Sequence, residues 1–219
     1  MSELVPVGTY VRELRASLDR LFENALDWEH LPHVHGGSFS GIRLLGEDRS
    51  GWEAEASLTD DRPILLSLFL DRGAGRWIAR TRIAGRLVSE IVSEAVATSD
   101  ESCRVAVSFF AADVAEERRA AVTAYYQQLY AGLYDEDERL MIARAQAVRR
   151  GPRALNERRD VTLADGSVRS VPVYCPHQGL PLDAEPDAAG ILTCPWHGYR
   201  FDVRTGACVS SQACGWTRR

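Results

Sequence analysis

Two stretches near the end of the chain decide how it is read: Cys175-Pro-His-Gln-Gly-Leu-Pro-Leu182 and Cys194-Pro-Trp-His-Gly-Tyr-Arg-Phe-Asp-Val-Arg-Thr-Gly-Ala-Cys208. Each carries one cysteine and one histidine on a Pro-containing loop, and 16 residues separate His177 from Cys194. Two thiolates and two imidazoles suit either a tetrahedral zinc or a two-iron cluster. A zinc finger usually presents a Cys pair and then a His pair. Here each loop holds one of each, which allows both Cys to bind one iron and both His the other. Gly179 and Gly198 let the backbone approach such a group, and Thr205-Gly206 is expected to close a hairpin after the second loop. The surrounding pieces Val161–Leu163, Val168–Tyr174, Ile191–Thr193 and Arg200–Val203 are short, β-like and punctuated by Gly and Pro. That is the texture of a small all-β module.

Working back toward the start, the charged, apolar-poor segment Arg153–Asp160 reads as a linker, and Gly151-Pro152 stops the helical pattern of Val114–Arg149. Gly132 and the acidic run Asp135–Glu138 are expected to break that helix in two. Between about Gly37 and Ala112 the pattern is β, with runs at Ile64–Asp71, Arg76–Ala84, Leu87–Thr98 and Cys103–Ala111 separated by short turns. From Tyr10 to Leu26, Val11, Leu14, Leu18, Leu21, Phe22 and Ala25 recur at helical spacing, which predicts an amphipathic helix ended or kinked by Pro32 within a turn or so. The expected division is a domain over 1–152 and a second over 153–219.

Composition narrows the class. The 219 residues are 45% hydrophobic and 26% charged, ordinary for a globular protein with a core. A formal charge of −5, spread along the chain, provides no basic footprint for nucleic acid. The longest apolar run, Ile64–Leu70, falls well short of a membrane span. Met1–Gly8 has no basic stretch followed by an apolar one, so no secretory leader is expected and the reading is cytoplasmic. Five cysteines, an odd count, argue against a disulfide scaffold and for thiols that bind metal or stay free. Cys103, Cys208 and Cys214 read as a buried small hydrophobe and two thiols near the tail.

A second cluster lies in Glu23-Asn-Ala-Leu-Asp-Trp-Glu-His-Leu-Pro-His-Val-His35. His30 and His35, five apart across a helix end, can converge on one metal if a carboxylate arrives from elsewhere. Two His and one carboxylate form the facial triad, which leaves positions on iron open for O2 and substrate.

The C-terminal stretches resemble the Rieske signature, over Val161 to about Val209. The resemblance implies a [2Fe-2S] cluster held by Cys175, His177, Cys194 and His197. Respiratory Rieske proteins carry an additional Cys in each loop; here those places are Leu180 and Trp196, so the likeness is to the oxygenase and ferredoxin branch. Beside it, the N-terminal cluster resembles the mononuclear-iron motif of Rieske non-haem oxygenases, Asn-x2-Asp-x2-His-x4-His, matched by Asn24, Asp27, His30 and His35. What the family implies is that His30 and His35 ligate Fe(II), while Asp27 bridges toward a Rieske histidine on the electron route and Asn24 stands behind the ligands. His33 falls outside the motif. The family's third ligand is an aspartate on a late helix; Asp137 fits that place best, with Asp135 the nearest competitor.

The resemblance further implies an α+β chain: a helix-grip (START-like) catalytic domain with an antiparallel sheet wrapped on a long helix, then the small all-β Rieske domain. Leu65, Leu66, Leu68, Phe69, Trp77, Phe109 and Phe110 are candidates to line its apolar cavity, with about half of them expected to be plain core. The family's domain order is inverted here, the iron motif preceding the Rieske motif. The activity implied is hydroxylation, including ring hydroxylation, or oxidative demethylation of a small apolar or aromatic substrate. It would use O2 and electrons from a reductase or ferredoxin, in a homotrimer, with no nucleic-acid or membrane partner. The alternative is a Rieske electron-transfer or redox-sensing protein whose other domain binds an apolar ligand without catalysis.

Overall fold

The computed structural model describes residues 3–152 and 156–210; Cys214 and the first residues of the expected linker lie outside them. Seven strands form one antiparallel sheet: β1 (Leu4–Leu14), β2 (Phe39–Asp48), β3 (Gly51–Leu58), β4 (Pro63–Asp71), β5 (Arg76–Ile83), β6 (Arg86–Ser99) and β7 (Ser102–Ala112). Strands β2 to β7 run as a meander and β1 closes onto β7, giving the order β1-β7-β6-β5-β4-β3-β2. Register shifts at Pro6/Gly8, Phe39/Gly41, Leu44/Gly46 and Thr81/Arg82 are the bulges that let such a sheet bend.

Two short helices, α1 (Leu18–Leu26) and α2 (Leu31–Val34), fill the β1–β2 connection, and the long α3 (Arg119–Arg150) follows the sheet after a 3-10 turn at Glu116–Arg118. Phe109, Val105, Val107 and Trp77 from the strands, Leu21 and Phe22 from α1, and Tyr134 and Met141 from α3 share one buried core.

Three expectations are corrected. Tyr10–Leu14 is strand, not the start of a helix, because it pairs with Cys103–Val107 of β7. The helix starts where Ser17 caps it, its Oγ accepting from Arg20 N at 3.3 Å. Pro32 does not terminate that helix; it sits in the first turn of α2, where its missing N–H costs nothing. Nor does α3 break. Gly132 costs about 1 kcal/mol in a helix interior, which the buried packing of Tyr134, Leu140 and Met141 outweighs.

The C-terminal unit has its own core of Val161, Val171, Leu182, Leu192 and Phe201. It is built from two hairpins, β8 (Arg158–Thr162) with β9 (Val168–Pro172) and β10 (Ile191–Thr193) with β11 (Arg200–Asp202). The compact units are Met1–Met141 and Ile142–Arg219, a division earlier than the linker composition suggests. The reason is that the end of α3 is tied to the loops that follow: Arg144 Nη1 donates to Gln178 O at 2.7 Å and Arg150 Nη2 to Gly179 O at 3.3 Å. The Arg150 guanidinium lies 4.1 Å over the Tyr174 ring. Strand β8 already occupies the end of the expected linker. No helix among the described residues is long and apolar enough to cross a membrane.

Candidate metal centres

The two Rieske-like loops fold alike. Gly179 N donates to Cys175 O (2.8 Å) and Gly198 N to Cys194 O (3.0 Å), while Cys175 N donates to Leu180 O and Cys194 N to Tyr199 O. Both glycines have left-handed backbones, φ 73° and 67°, which a residue with a Cβ rarely adopts. Each loop therefore turns back on itself within five residues and presents its Cys and His from one tight curl. The two loops are joined where Trp196 Nε1 donates to Pro181 O at 3.0 Å, and Leu180 is buried beside them. These are the places a loop-to-loop disulfide takes in the respiratory branch.

Like donors pair with like. The His177 and His197 rings meet edge to face with centroids 4.9 Å apart. Cys175 hydrogen-bonds the Cys194 thiol, and this contact, with help from His197 and the Trp196 and His197 N–H groups against the opposing effect of burial, lowers Cys194 to about 5. The four donors do not gather at one point: among the described residues, the group of three or more donors lying within 4.8 Å of one another is His30, His35 and Asp137. A Cys–Cys contact and a His–His contact, joined where His197 meets Cys194, fit a two-iron site better than a single tetrahedral zinc.

The second centre is assembled from three elements. His30 caps α2, His35 follows its last turn, and Asp137 comes from α3. All three are buried. Asp137 Oδ1 stands 3.0 Å from His35 Nε2 and 3.3 Å from His30 Nε2, and the two Nε2 atoms are 3.2 Å apart. Donors on adjacent octahedral positions of a metal with bonds near 2.1 Å stand about 3.0 Å apart, so the triangle has the size of one face of such a site.

The far side of the His35 ring fixes its tautomer. Nδ1–H donates to Glu136 Oε2 at 2.7 Å, which leaves Nε2 aimed inward. The Oδ1 of Asp137 makes no directed hydrogen bond. Burial opposes charge on His35, yet Asp137 and Glu136 hold it above the ordinary histidine value. Burial likewise opposes charge on Asp137, and the two imidazoles hold it well below the carboxylate range. The field among the three donors is one that favours a cation.

Four consecutive acids sweep round the helix, and Asp135 and Glu138, three apart, come back to one side and share Arg12. Asp135 is exposed and pairs with Arg12 at 2.7 Å, away from the histidines. Glu136 takes His35, Asp137 joins the triangle, and Glu138 accepts from Arg12 Nη2 and the Arg15 backbone N. Glu136 was missed in the sequence because helix neighbours normally face apart; only the position of His35 beside α3 makes it a partner. Asp27 Oδ2 lies 4.0 Å from His30 Nδ1, on the side of the ring away from the triangle, and His33 is exposed. Asn24 is buried, and its Oδ1 has no hydrogen-bond partner among the described residues.

A cavity of about 530 Å³ opens onto the triangle. Leu66, Leu68 and Trp77 line it as expected; Leu65, Phe69, Phe109 and Phe110 do not. Strand alternation separates them: Leu66 and Leu68 face inward, whereas Phe69 is 53% exposed, and Phe109 is sealed in the core at 0%.

Residues 128–217 match the Rieske [2Fe-2S] domain family, a match that implies a [2Fe-2S] cluster and electron-transfer capacity in that part of the chain. No curated protein matches the sequence. Among solved structures, the ZhuI aromatase/cyclase of Streptomyces sp. R1128 is similar over 68% of this chain and 98% of its own, with TM-score 0.54 and 11% identity. A point mutant of norcoclaurine synthase from Thalictrum flavum is similar over 65% and 95%, with TM-score 0.49 and 16% identity. The first likeness shows the fold: an α+β chain whose sheet domain is of helix-grip, START-like type.

Proposed function

We propose that the chain is a Rieske-type non-haem iron oxygenase that hydroxylates or oxidatively demethylates a small apolar or aromatic substrate. The observation that carries this reading is the meeting of His30, His35 and Asp137 donor atoms within 3.3 Å on the wall of an apolar cavity. Residues 128–217 of the same chain match the Rieske domain family. In this reading His30, His35 and Asp137 hold Fe(II), and Cys175, His177, Cys194 and His197 hold the [2Fe-2S] cluster. When bound, these groups supply activation of O2 and single electrons, drawn from a reductase or ferredoxin.

The chain's own residues do the rest. Glu136 keeps the His35 proton on Nδ1, so Nε2 remains a lone-pair donor. Asp27, beside His30 Nδ1, is the proposed electron-transfer bridge, and Asn24 stands behind the ligands. Trp52, Trp77, Leu66 and Leu68 receive the substrate and exclude water from the reacting face. The homotrimer and cytoplasmic setting are proposed with the family.

The test is iron and acid-labile sulfide per chain on anaerobically purified protein. About three irons to two sulfides is expected. About two to two, persisting after Fe(II) is offered, overturns the oxygenase and leaves an electron carrier or redox sensor.

A further inference from the structure

Tyr126, Tyr130 and Tyr134 recur every fourth residue along α3, so they share one face of the helix, and all three line the cavity. Two of them meet a hydroxyl on β6: Ser89 interacts with Tyr126 and Ser93 with Tyr134. Midway between those serines, on the same face of the strand, is Ile91, which is buried and offers no polar side-chain atom. Tyr130, midway between the other two tyrosines, lines the cavity with no side-chain hydrogen-bond partner among the described residues. Its ring is held by Phe109 and Tyr134, with centroids at 5.0 and 6.1 Å, so the phenol is fixed in direction. Burial above all, with Tyr126 and Asp137 adding to it, pushes Tyr130 above the ordinary tyrosine range, and the group stays O–H. A fixed, desolvated O–H donor that the protein leaves open is a place for an acceptor from a ligand.

Charge narrows the ligand. The titratable lining apart from the tyrosines is Asp27, His30, His35 and Asp137, all at the proposed iron, and no Lys or Arg lines the cavity among the described residues. Two carboxylates already balance a divalent metal there, so an anion would bring an unbalanced charge into a cavity with no Lys or Arg, and a cation would compete with the metal for those carboxylates.

The geometry points to Tyr130 as a specificity-determining residue that selects a neutral ligand bearing an acceptor oxygen, of the ketone, quinone or aryl-ether class, through a hydrogen bond from its Oη–H. This rests on reading the cavity as the substrate chamber. The experiment is calorimetric titration of the full chain with 1-tetralone, with tetralin and with tetralin-1-carboxylate. In Tyr130→Phe the tetralone-to-tetralin affinity ratio is expected to fall about tenfold, with tetralin's own affinity unchanged. Tyr126→Phe, which removes a hydroxyl that already has Ser89, is expected to keep the wild-type ratio. The carboxylate is expected to bind weakest in every variant.

A ratio that survives Tyr130→Phe, an equal loss in Tyr126→Phe, or tightest binding by the carboxylate overturns the assignment while leaving the chamber standing. If none of the three probes binds the wild-type chain, the chamber reading falls and the assignment with it.

Discussion

The two donor sets of this chain are built in opposite ways. The Cys175–His177 and Cys194–His197 loops are local objects: each closes on itself through a backbone bond between its Cys and the glycine four residues on. The His30–His35–Asp137 triangle is not local. Two of its donors flank one short helix, and the third comes from a helix that follows only after six further strands of the sheet. A locally closed loop presents its ligands as soon as the turn forms. A triangle drawn from distant elements exists only when the whole domain has folded, and it is held open by partners such as Glu136 that do not themselves join it.

That contrast can be broken at either centre. The largest effects are expected from ligand loss. Asp137→Ala should abolish binding of Fe(II) at the triangle while leaving the visible spectrum and sulfide content of the cluster unchanged. Cys194→Ser should do the reverse, removing the cluster's absorbance while Fe(II) still binds. Loss of both groups in either variant would show that the two centres are not independent, and metal analysis with absorption spectroscopy reads both at once.

A smaller effect sharpens the role of the triangle's support. Glu136→Gln keeps the shape but replaces the carboxylate that holds the His35 proton on Nδ1. It should weaken Fe(II) binding by about 10- to 100-fold without touching the cluster. Unchanged Fe(II) affinity by competition titration would mean that His35 is oriented by packing alone.

Smaller still is a pH effect within the sheet core. Cys103 is fully buried on β7, and burial, with Glu13 and Glu138 adding to it, pushes its thiol up to about 11. A raised folded value means stability that is fully present below the unfolded pKa of 9.0 and is lost as pH rises toward 11. The loss should be of the order of 2 kcal/mol. Denaturant melts of Cys103→Ala should show a flatter alkaline limb than wild type; identical slopes would remove the thiol from the account.

The smallest expected change is in the loops. Trp196→Phe deletes the bond to Pro181 O that ties them together, and thermal unfolding should fall by about 1 kcal/mol with the cluster retained. Loss of the cluster instead would make this bond a condition of assembly, as a disulfide would be.

Much of this was legible in the residues. The Cys-x-His and Cys-x-x-His spacings, the hairpin at Thr205-Gly206 and the β runs from Ile64 to Ala111 follow from turn chemistry and alternation acting within a few residues, and the structure has them where they were read. His30 and His35 were legible as a pair because their spacing crosses a helix end. The start of the chain was not: Val11 and Leu14 fit a helical stripe as well as a strand, and only the free edge of β7 decides between them. The acidic run misled in the same way, since nothing in Asp135–Glu138 tells that Arg12, Arg15 and the histidines wait around the helix to receive it.

By itself the sequence determined the chemistry available to this protein: two cysteines and two histidines on twin glycine-closed loops, a pair of histidines early in the chain, and carboxylates on a late helix. Ligand type and short-range spacing are properties of neighbouring residues, and they survive any rearrangement of the fold. Only the tertiary structure decided which carboxylate meets the histidines, which leucines face the cavity, and which of three tyrosines keeps an open hydroxyl. Those choices depend on the register of strands and the rotation of one long helix, where a shift of a single residue turns a side chain to another face.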